Sequence, residues 1–220
     1  MDRTAATQAP ELGLRERKKQ RTRELIAESA RRLFAERGFE RVSVAEIARA
    51  AEVSEQTVFN YFPTKEDLVY WRLASFEEEL LAAIRGRGAG ESVPQAFGRF
   101  ILARRGLLAE KEPQARQRLV ELTRMITESP ALLDRERQIF ERYTASLAGV
   151  IGEETGARPD DVEPWVIANA LMGIHRALID YSRRRIVAGA PNARIVREMR
   201  AQGERALAAL EDGLGAVGVR

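Results

Sequence analysis

The sequence predicts an all-α protein: an N-terminal three-helix unit containing a helix-turn-helix, then a larger helical bundle, about nine helices in total. Three observations predict it. Apolar residues recur at three- and four-residue spacing along most of the chain, and no stretch alternates as a strand would. Helix-capping residues punctuate that pattern at Ser43, Ser54, Thr64, Ser92 and Ser129. The 220 residues are 45% hydrophobic, enough for a sizeable core and too much for general disorder.

The first helix is expected from about Arg17 to Arg37, with Leu25, Ile26, Ala30, Leu33 and Phe34 as its apolar side and Gly38 as its stop. Ser43-Val44-Ala45-Glu46 reads as a capping box that starts a short helix carrying Val44, Ile47 and Ala48. Ser54 opens a second short helix, Glu55 to about Tyr61, which ends at Phe62 because Pro63 follows. Thr64 to Asp67 caps a long fourth helix holding Leu68, Trp71, Leu73, Phe76 and Leu80. The segment from Gly86 to Gly90 reads as a loop. It lacks the preceding strand and the lysine that a phosphate cradle needs. Further helices are expected from Ser92 (with Phe97, Phe100, Ile101 and Leu108), from Pro113, from Pro130 to Gly156, from Asp161–Pro164 to Arg185, and from Ala193 to Leu214.

Composition narrows the chemistry. Cysteine is absent and His175 is the only histidine, so thiolate metal sites, disulfides and nearly every histidine triad are excluded. No metal, no cofactor and no catalytic residue is therefore expected. No apolar run approaches the roughly 18 residues of a membrane span, and the N-terminal residues lack a signal-like apolar segment. A cytoplasmic protein without a membrane partner is the expectation. Net charge is only +3, but six basic residues and one acid fall between Arg15 and Arg23, a local patch that an anionic partner would feel.

Two short capped helices about four residues apart, flanked by longer ones, suit a helix-turn-helix. The second is too short to bury much, so one face is free to enter a major groove. That face carries Glu55, Gln56, Thr57 and Asn60. Gln and Asn side chains can bond adenine twice, and a threonine methyl can touch thymine. Val58 and Phe62 point the other way, toward Ile47 and Phe34. Thr22, Arg23, Ser43, Val44, Tyr61 and Lys65 stand around it as groups suited to phosphate.

The run GFERVSVAEIARAAEVSEQTVFNYFPTKEDL closely resembles the DNA-binding domain of TetR-family transcriptional regulators, over about a fifth of the chain. Gly38-Phe39, Ser43, Ile47-Ala48, Ala51, Val53-Ser54, Thr57, Tyr61-Phe62 and Lys65 to Leu68 stand where that family's pattern puts them. The resemblance implies that Gln56, Thr57 and Asn60 lie near bases, and that Thr22, Ser43, Thr57, Tyr61 and Lys65 hold phosphates. Phe59 departs from the family's usual tyrosine. Its ring can pack or touch a thymine methyl, but it has no hydroxyl for phosphate. The first ten or so residues are small and polar, so a flexible tail is expected over 1–14; the resemblance implies a DNA-binding domain over 15–62 and a ligand-binding and dimerisation domain over 63–220. The segment SPALLDRERQIFERY distantly resembles actinobacterial TetR-like proteins associated with mycofactocin, a likeness that names no ligand.

In the C-terminal half, Val196, Met199, Gly203, Ala206 and Leu210, continued by Leu214, form one stripe on the last helix. Small Gly203 and Ala206 would let a partner helix approach. Family precedent and this stripe together predict a homodimer, whose two reading helices would meet a palindromic operator in double-stranded DNA. Trp165, Asn169, Met172 and Arg176 share a stripe on the preceding helix, with His175 beside them. Their functional reading is a small-molecule effector cavity shared with Phe97, Phe100, Ile101, Arg104, Met125, Phe140 and Tyr143; the bland reading is a packed core with a satisfied asparagine and histidine. The predicted function is a repressor released from its operator by a small, largely apolar effector. A ligand-independent regulator or activator is one alternative. A helical-bundle enzyme is another, disfavoured because no Glu-x-x-His pairing exists: Leu171 and Met172 precede His175 at helical spacing.

Overall fold

The computed structural model describes residues 13–73, 75–103, 108 and 113–214. The tail expected over 1–14 lies outside this range save for Gly13 and Leu14, and Arg104 of the expected cavity also lies outside it. The described residues are helices and connections: α1 (Leu14–Arg37), α2 (Val44–Ala50), α3 (Glu55–Tyr61), α4 (Asp67–Tyr70), α5 (Phe76–Arg85), α6 (Val93–Ile101), α7 (Pro113–Glu128), α8 (Pro130–Thr155), α9 (Glu163–Val187) and α10 (Asn192–Leu214). They divide into two compact units between Trp71 and Arg72.

In the first unit, α1 packs on α2 and α4, and α2 packs on α3. Ile26, Ala27, Ala30 and Phe34 of α1 are buried, whereas Leu25, expected with them, is 50% exposed. One residue of helical rotation is 100°, so Leu25 beside fully buried Ile26 falls at the edge of the buried face. The Ser43 capping box forms as expected. The Glu46 amide donates to the Ser43 hydroxyl (3.2 Å), and the Ser43 amide donates back to the Glu46 carboxylate (2.8 Å). Arg37 at the end of α1 also donates to that carboxylate, at 2.7 Å, which ties α2 to α1.

Between α2 and α3 the chain passes through a left-handed conformation at Glu52 (φ 53°), where side chains with a Cβ are strained. The Val53 amide closes this turn onto the Ala48 carbonyl at 2.9 Å. Ser54 caps α3 through the Thr57 amide (3.0 Å), and Phe62 is extended before Pro63, as the proline requires.

The long fourth helix expected from Thr64 to beyond Leu80 is broken. Thr64 and Asp67 exchange amide bonds at 3.0 and 3.3 Å to start α4, which gives way to a 3₁₀ turn over Trp71–Leu73 before α5 begins at Phe76. The apolar period runs through the break unchanged, which is why spacing alone did not reveal it. The helix from Ser92 likewise ends at Ile101, before Leu108.

In the second unit α9 packs on α7, α8, α10 and α6, while α5 packs on α6 and α8. Leu80, Ile84, Phe97, Leu132, Leu147, Ile151, Ile167, Leu171 and Ile195 have at most 1% of their surface exposed. The loop after α5 is pinned by the buried Arg87 guanidinium, which pairs with Glu154 of α8 and donates to the carbonyls of Glu91 (3.1 Å) and Ile84 (3.0 Å). Helices α6 and α10 meet through two glycines. A Cβ on Gly98 would collide with Leu207, and one on Gly203 with Leu102 and Leu178. The close approach that Gly203 allows is therefore within its own chain, a correction to its expected place against a partner helix.

Two outcomes test this packing. Gly203→Val should lower unfolding stability by about 1–3 kcal/mol in denaturant titration, since the added branches displace buried leucines; an unchanged midpoint would contradict the α6–α10 contact. Glu46 is held down to about 2 by the Ser43 amide, the Arg37 guanidinium and the Ser43 hydroxyl, from an ordinary 4.5. A carboxylate depressed in the folded state contributes stability that is fully present above its unfolded value and lost as pH falls through its folded value. Urea unfolding between about pH 4.5 and 2 should thus show a loss of stability in the native protein that Glu46→Gln lacks.

Candidate functional site: an outward-facing short helix and an aromatic cavity

Helix α3 has seven residues, and its two sides differ sharply. Val58 and the following Phe62 are each 1% exposed, and Ile47 and Phe34, toward which the sequence reading aimed them, are buried as well. Glu55, Gln56, Phe59 and Asn60 are exposed, and Thr57 and Tyr61 are half-buried. The Gln56 amide donates to the Asn60 side-chain carbonyl at 3.1 Å, so both amides sit on one outer face, one turn apart. The Thr57 and Ser54 hydroxyls are 2.8 Å apart. Phe59 is 43% exposed, an apolar ring among polar neighbours.

The groups expected around α3 fall in three settings. Ser43 is exposed at the start of α2 with half-buried Val44 beside it. Thr22 and Arg23 are half-buried on α1. The Thr22 hydroxyl donates to the Lys18 carbonyl (3.0 Å), and the Arg23 guanidinium lies 5.3 Å from the centre of the Phe62 ring. Lys65 places its ammonium 4.2 Å from the centre of the Phe39 ring, and partial burial draws its pKa below the ordinary lysine value. Glu46 and Arg37, which orient α2 beneath α3, were not singled out from sequence as a pair. A capping box names Glu46, but nothing in the spacing names Arg37.

The second unit contains a cavity of about 550 Å³. Of the residues expected to line it, Phe100, Ile101, Phe140, Tyr143 and His175 do. Phe97 and Met172 are instead packed in the core. Met125 is half-buried on α7, away from the lining. Trp165 (49% exposed) and Asn169 lie on the outer surface of α9; the Asn169 amide donates to the Trp165 carbonyl at 2.8 Å. Arg176 is exposed, with its guanidinium 5.0 Å from the Phe140 ring centre. Val196 and Met199, expected on a partner-facing stripe, line the cavity; Ala206 and Leu210 are half-buried.

Phe76 is the residue that sequence reasoning missed. It was read as one more core position of a continuous helix, yet it starts α5 and stands at the centre of the aromatic lining. Its ring is 5.1 Å from His175, nearly parallel at 9°, and 5.3 Å from both Tyr143 and Phe100. The Tyr143 hydroxyl donates to the Leu73 carbonyl at 2.9 Å. His175 is pulled down to about 4 by desolvation alone, so its ring is neutral near pH 7. The ring is half-buried and forms part of the cavity lining.

Comparisons with known proteins agree with this division. Residues 26–70 match the family model described as bacterial regulatory proteins of the tetR family, and residues 91–214 match the MftR C-terminal domain. The chain is 32% identical to the HTH-type transcriptional regulator TcmR of Streptomyces glaucescens, over 76% of this chain and 75% of that protein. It is 57% identical to the HTH-type transcriptional regulator LuxR of Vibrio harveyi over 20% of this chain and 22% of that one. A solved TetR-family regulator from Streptomyces coelicolor A3 matches at a TM-score of 0.49 and 20% identity, covering 91% of this chain and 99% of that chain. With a model that spans more than half of its length and a relative aligned over three quarters of both chains, this protein belongs to the TetR family of DNA-binding transcriptional regulators.

Proposed function

We propose that the protein is a dimeric, cytoplasmic repressor that reads a palindromic operator through α3 and is released by a small, largely apolar effector held in the second unit. The observation that carries this reading is the two-sidedness of α3: Val58 is buried, while Glu55, Gln56, Phe59 and Asn60 are presented to solvent. In this reading Gln56, Thr57 and Asn60 meet base edges, and Phe59 meets a thymine methyl. Thr22, Arg23, Ser43, Val44, Tyr61 and Lys65 hold phosphates, with the amide-rich start of α2 beside Ser43 adding its N–H groups. The reading elements expected over residues 15–62 belong to a unit that continues through α4 to Trp71, and the effector and the dimer contact are held from Arg72 onward. The effector acts by binding a state of lower operator affinity better than the operator-bound state.

For the dimer contact, the exposed face of α9 supports the reading best. Val162, Trp165 and Val166 are 72%, 49% and 56% exposed and fall within one turn, with Asn169 the next residue along the same side. Half-buried Ala206 and Leu210 of α10 extend the proposed contact, whereas Val196, Met199 and Gly203 are already covered by their own chain.

Binding of the protein to its own promoter DNA, followed by fluorescence anisotropy over a salt series, tests the reading role. Lys65→Gln should weaken binding to all sequences alike and reduce the slope of log K against log salt by about 0.9. Gln56→Ala and Asn60→Ala should change preference at particular base pairs, by about 1–3 kcal/mol where two bonds to one base are lost. Identical profiles for the two kinds of variant would overturn the assignment of roles. Absence of salt-sensitive, sequence-selective binding would overturn the function itself. Sedimentation tests the dimer: Trp165→Glu should shift the protein toward monomer, and an unchanged dimer would move the contact elsewhere.

A further inference from the structure

The cavity in the second unit has a lining specific enough to name a class of ligand, an inference that rests on the effector reading above. Its aromatic wall consists of Phe76, Phe100, Phe140, Tyr143 and His175, whose ring centres lie between 5.1 and 6.4 Å from their neighbours. Aliphatic side chains complete the enclosure, Ile101 from α6, Ile179 from α9, and Val196 and Met199 from α10. Aromatic rings interleaved with aliphatic side chains favour an apolar body with a flat ring system, because ring–ring contacts add to the gain from buried area.

The charges that reach this lining already have partners. Glu136 is held by Arg183 at 2.8 Å, and Arg200 by Glu204 at 2.8 Å. Arg72 and Glu79 are engaged as well. An ionic ligand would give up hydration and would have to compete with these partners for an opposite charge, a cost that an uncharged ligand avoids.

Two polar groups are left over among the described lining residues, the exposed Ser75 hydroxyl and the half-buried His175 ring. Phe76 covers a face of the His175 ring and Phe140 tilts against it at 5.5 Å, but neither can form a hydrogen bond with an imidazole nitrogen. The His175 nitrogens have no hydrogen-bond partner among the described residues, and the ring lines the cavity. A neutral imidazole offers one donor and one acceptor in its own plane, which a hydroxyl group can satisfy either way. The Tyr143 hydroxyl spends its proton on the Leu73 carbonyl, so it can only accept, whereas His175 offers both a donor and an acceptor. We propose that the cavity takes an uncharged, flat aromatic molecule whose hydroxyl group pairs with His175.

A set of pyrene derivatives with one skeleton and different head groups tests this directly. Hydroxypyrene, methoxypyrene, pyrene and pyrene carboxylate would be titrated into the full-length dimer by fluorescence, with dodecanol as a neutral, flexible competitor. Each compound would also be tested for release of promoter DNA. Hydroxypyrene should bind tightest and release DNA. The His175→Phe variant keeps a ring beside Phe76 and should weaken hydroxypyrene about five- to tenfold while leaving pyrene unchanged, the effect of one neutral hydrogen bond. The gap in affinity between hydroxypyrene and unsubstituted pyrene reads the same pairing on the native protein, should the variant fold poorly, and methoxypyrene tells whether the ligand oxygen donates or accepts. Equal or tighter binding of pyrene carboxylate or dodecanol, or a His175→Phe variant that keeps full affinity for hydroxypyrene, would overturn the proposed ligand class. Release of DNA by either of those compounds would leave the effector reading standing. If none of these compounds binds, the proposed ligand class fails, and release of promoter DNA by other small apolar molecules tests the effector reading separately.

Discussion

What the first unit can offer a partner depends on two buried side chains, Val58 and Phe62, each 1% exposed. A helix of seven residues is well below the length at which helices persist in water, so α3 exists because its inner side is fixed to the rest of the unit. Burying side chains of this size stabilises by roughly 1.5–3 kcal/mol each. The Ser54 cap and the tight turn through Glu52 set the angle at which α3 leaves α2, and Arg37, Ser43 and Glu46 lock α2 to α1. With the inner side and the entry angle fixed, the outer side is free to carry polar groups that contribute nothing to folding. That freedom is what a recognition surface requires: Gln56 and Asn60 can change without unfolding the scaffold, while Val58 cannot.

The first unit was legible in the sequence because its information is local. Caps at Ser43 and Ser54 and the Phe62-Pro63 stop fix three boundaries within a few residues of the side chains that encode them. The left-handed turn at Glu52 escaped notice because no glycine or asparagine marks it, and the break after α4 because apolar spacing continues across it. Leu25 shows a subtler limit. Helical spacing groups it with Ile26, but one position of rotation separates a fully buried side chain from a half-exposed one.

The second unit was less legible, since a stripe on a helix specifies a direction around the axis and leaves open which neighbour covers it at each point along the axis. Trp165 and Met172 are seven residues apart and share a direction, yet Trp165 is 49% exposed and Met172 only 3%. Coverage by the surrounding helices differs between the two turns. The same ambiguity placed Gly203 against a partner chain, when Leu102 and Leu178 of its own chain occupy the space. Small residues signal close approach, and the sequence carries no mark of which helix approaches. His175 and Phe76 illustrate the converse case: sequence gave a polar residue in an apolar helix and an aromatic in another, and only the fold puts their rings 5.1 Å apart.

Helix α9 joins these observations. Its C-terminal half supplies His175 and Ile179 to the cavity, and its N-terminal turns carry Trp165, Val166 and Asn169, which with the capping Val162 form the face proposed for the partner subunit. A helix of 25 residues packed on α7, α8 and α10 is stiff, so a ligand wedged against His175 cannot be accommodated by a local adjustment of one loop. A ligand that fits the existing cavity leaves α9 in place, whereas one that shifts α9 also shifts the turns that carry the proposed dimer contact. In the first case the ligand would bind without a signal. In the second, any free energy by which the ligand favours one position of α9 appears equally at the partner contact, because linkage between two sites is reciprocal. Under the proposed function, an effector is therefore a molecule that fits the aromatic wall well yet is slightly misfitted to the resting position of α9.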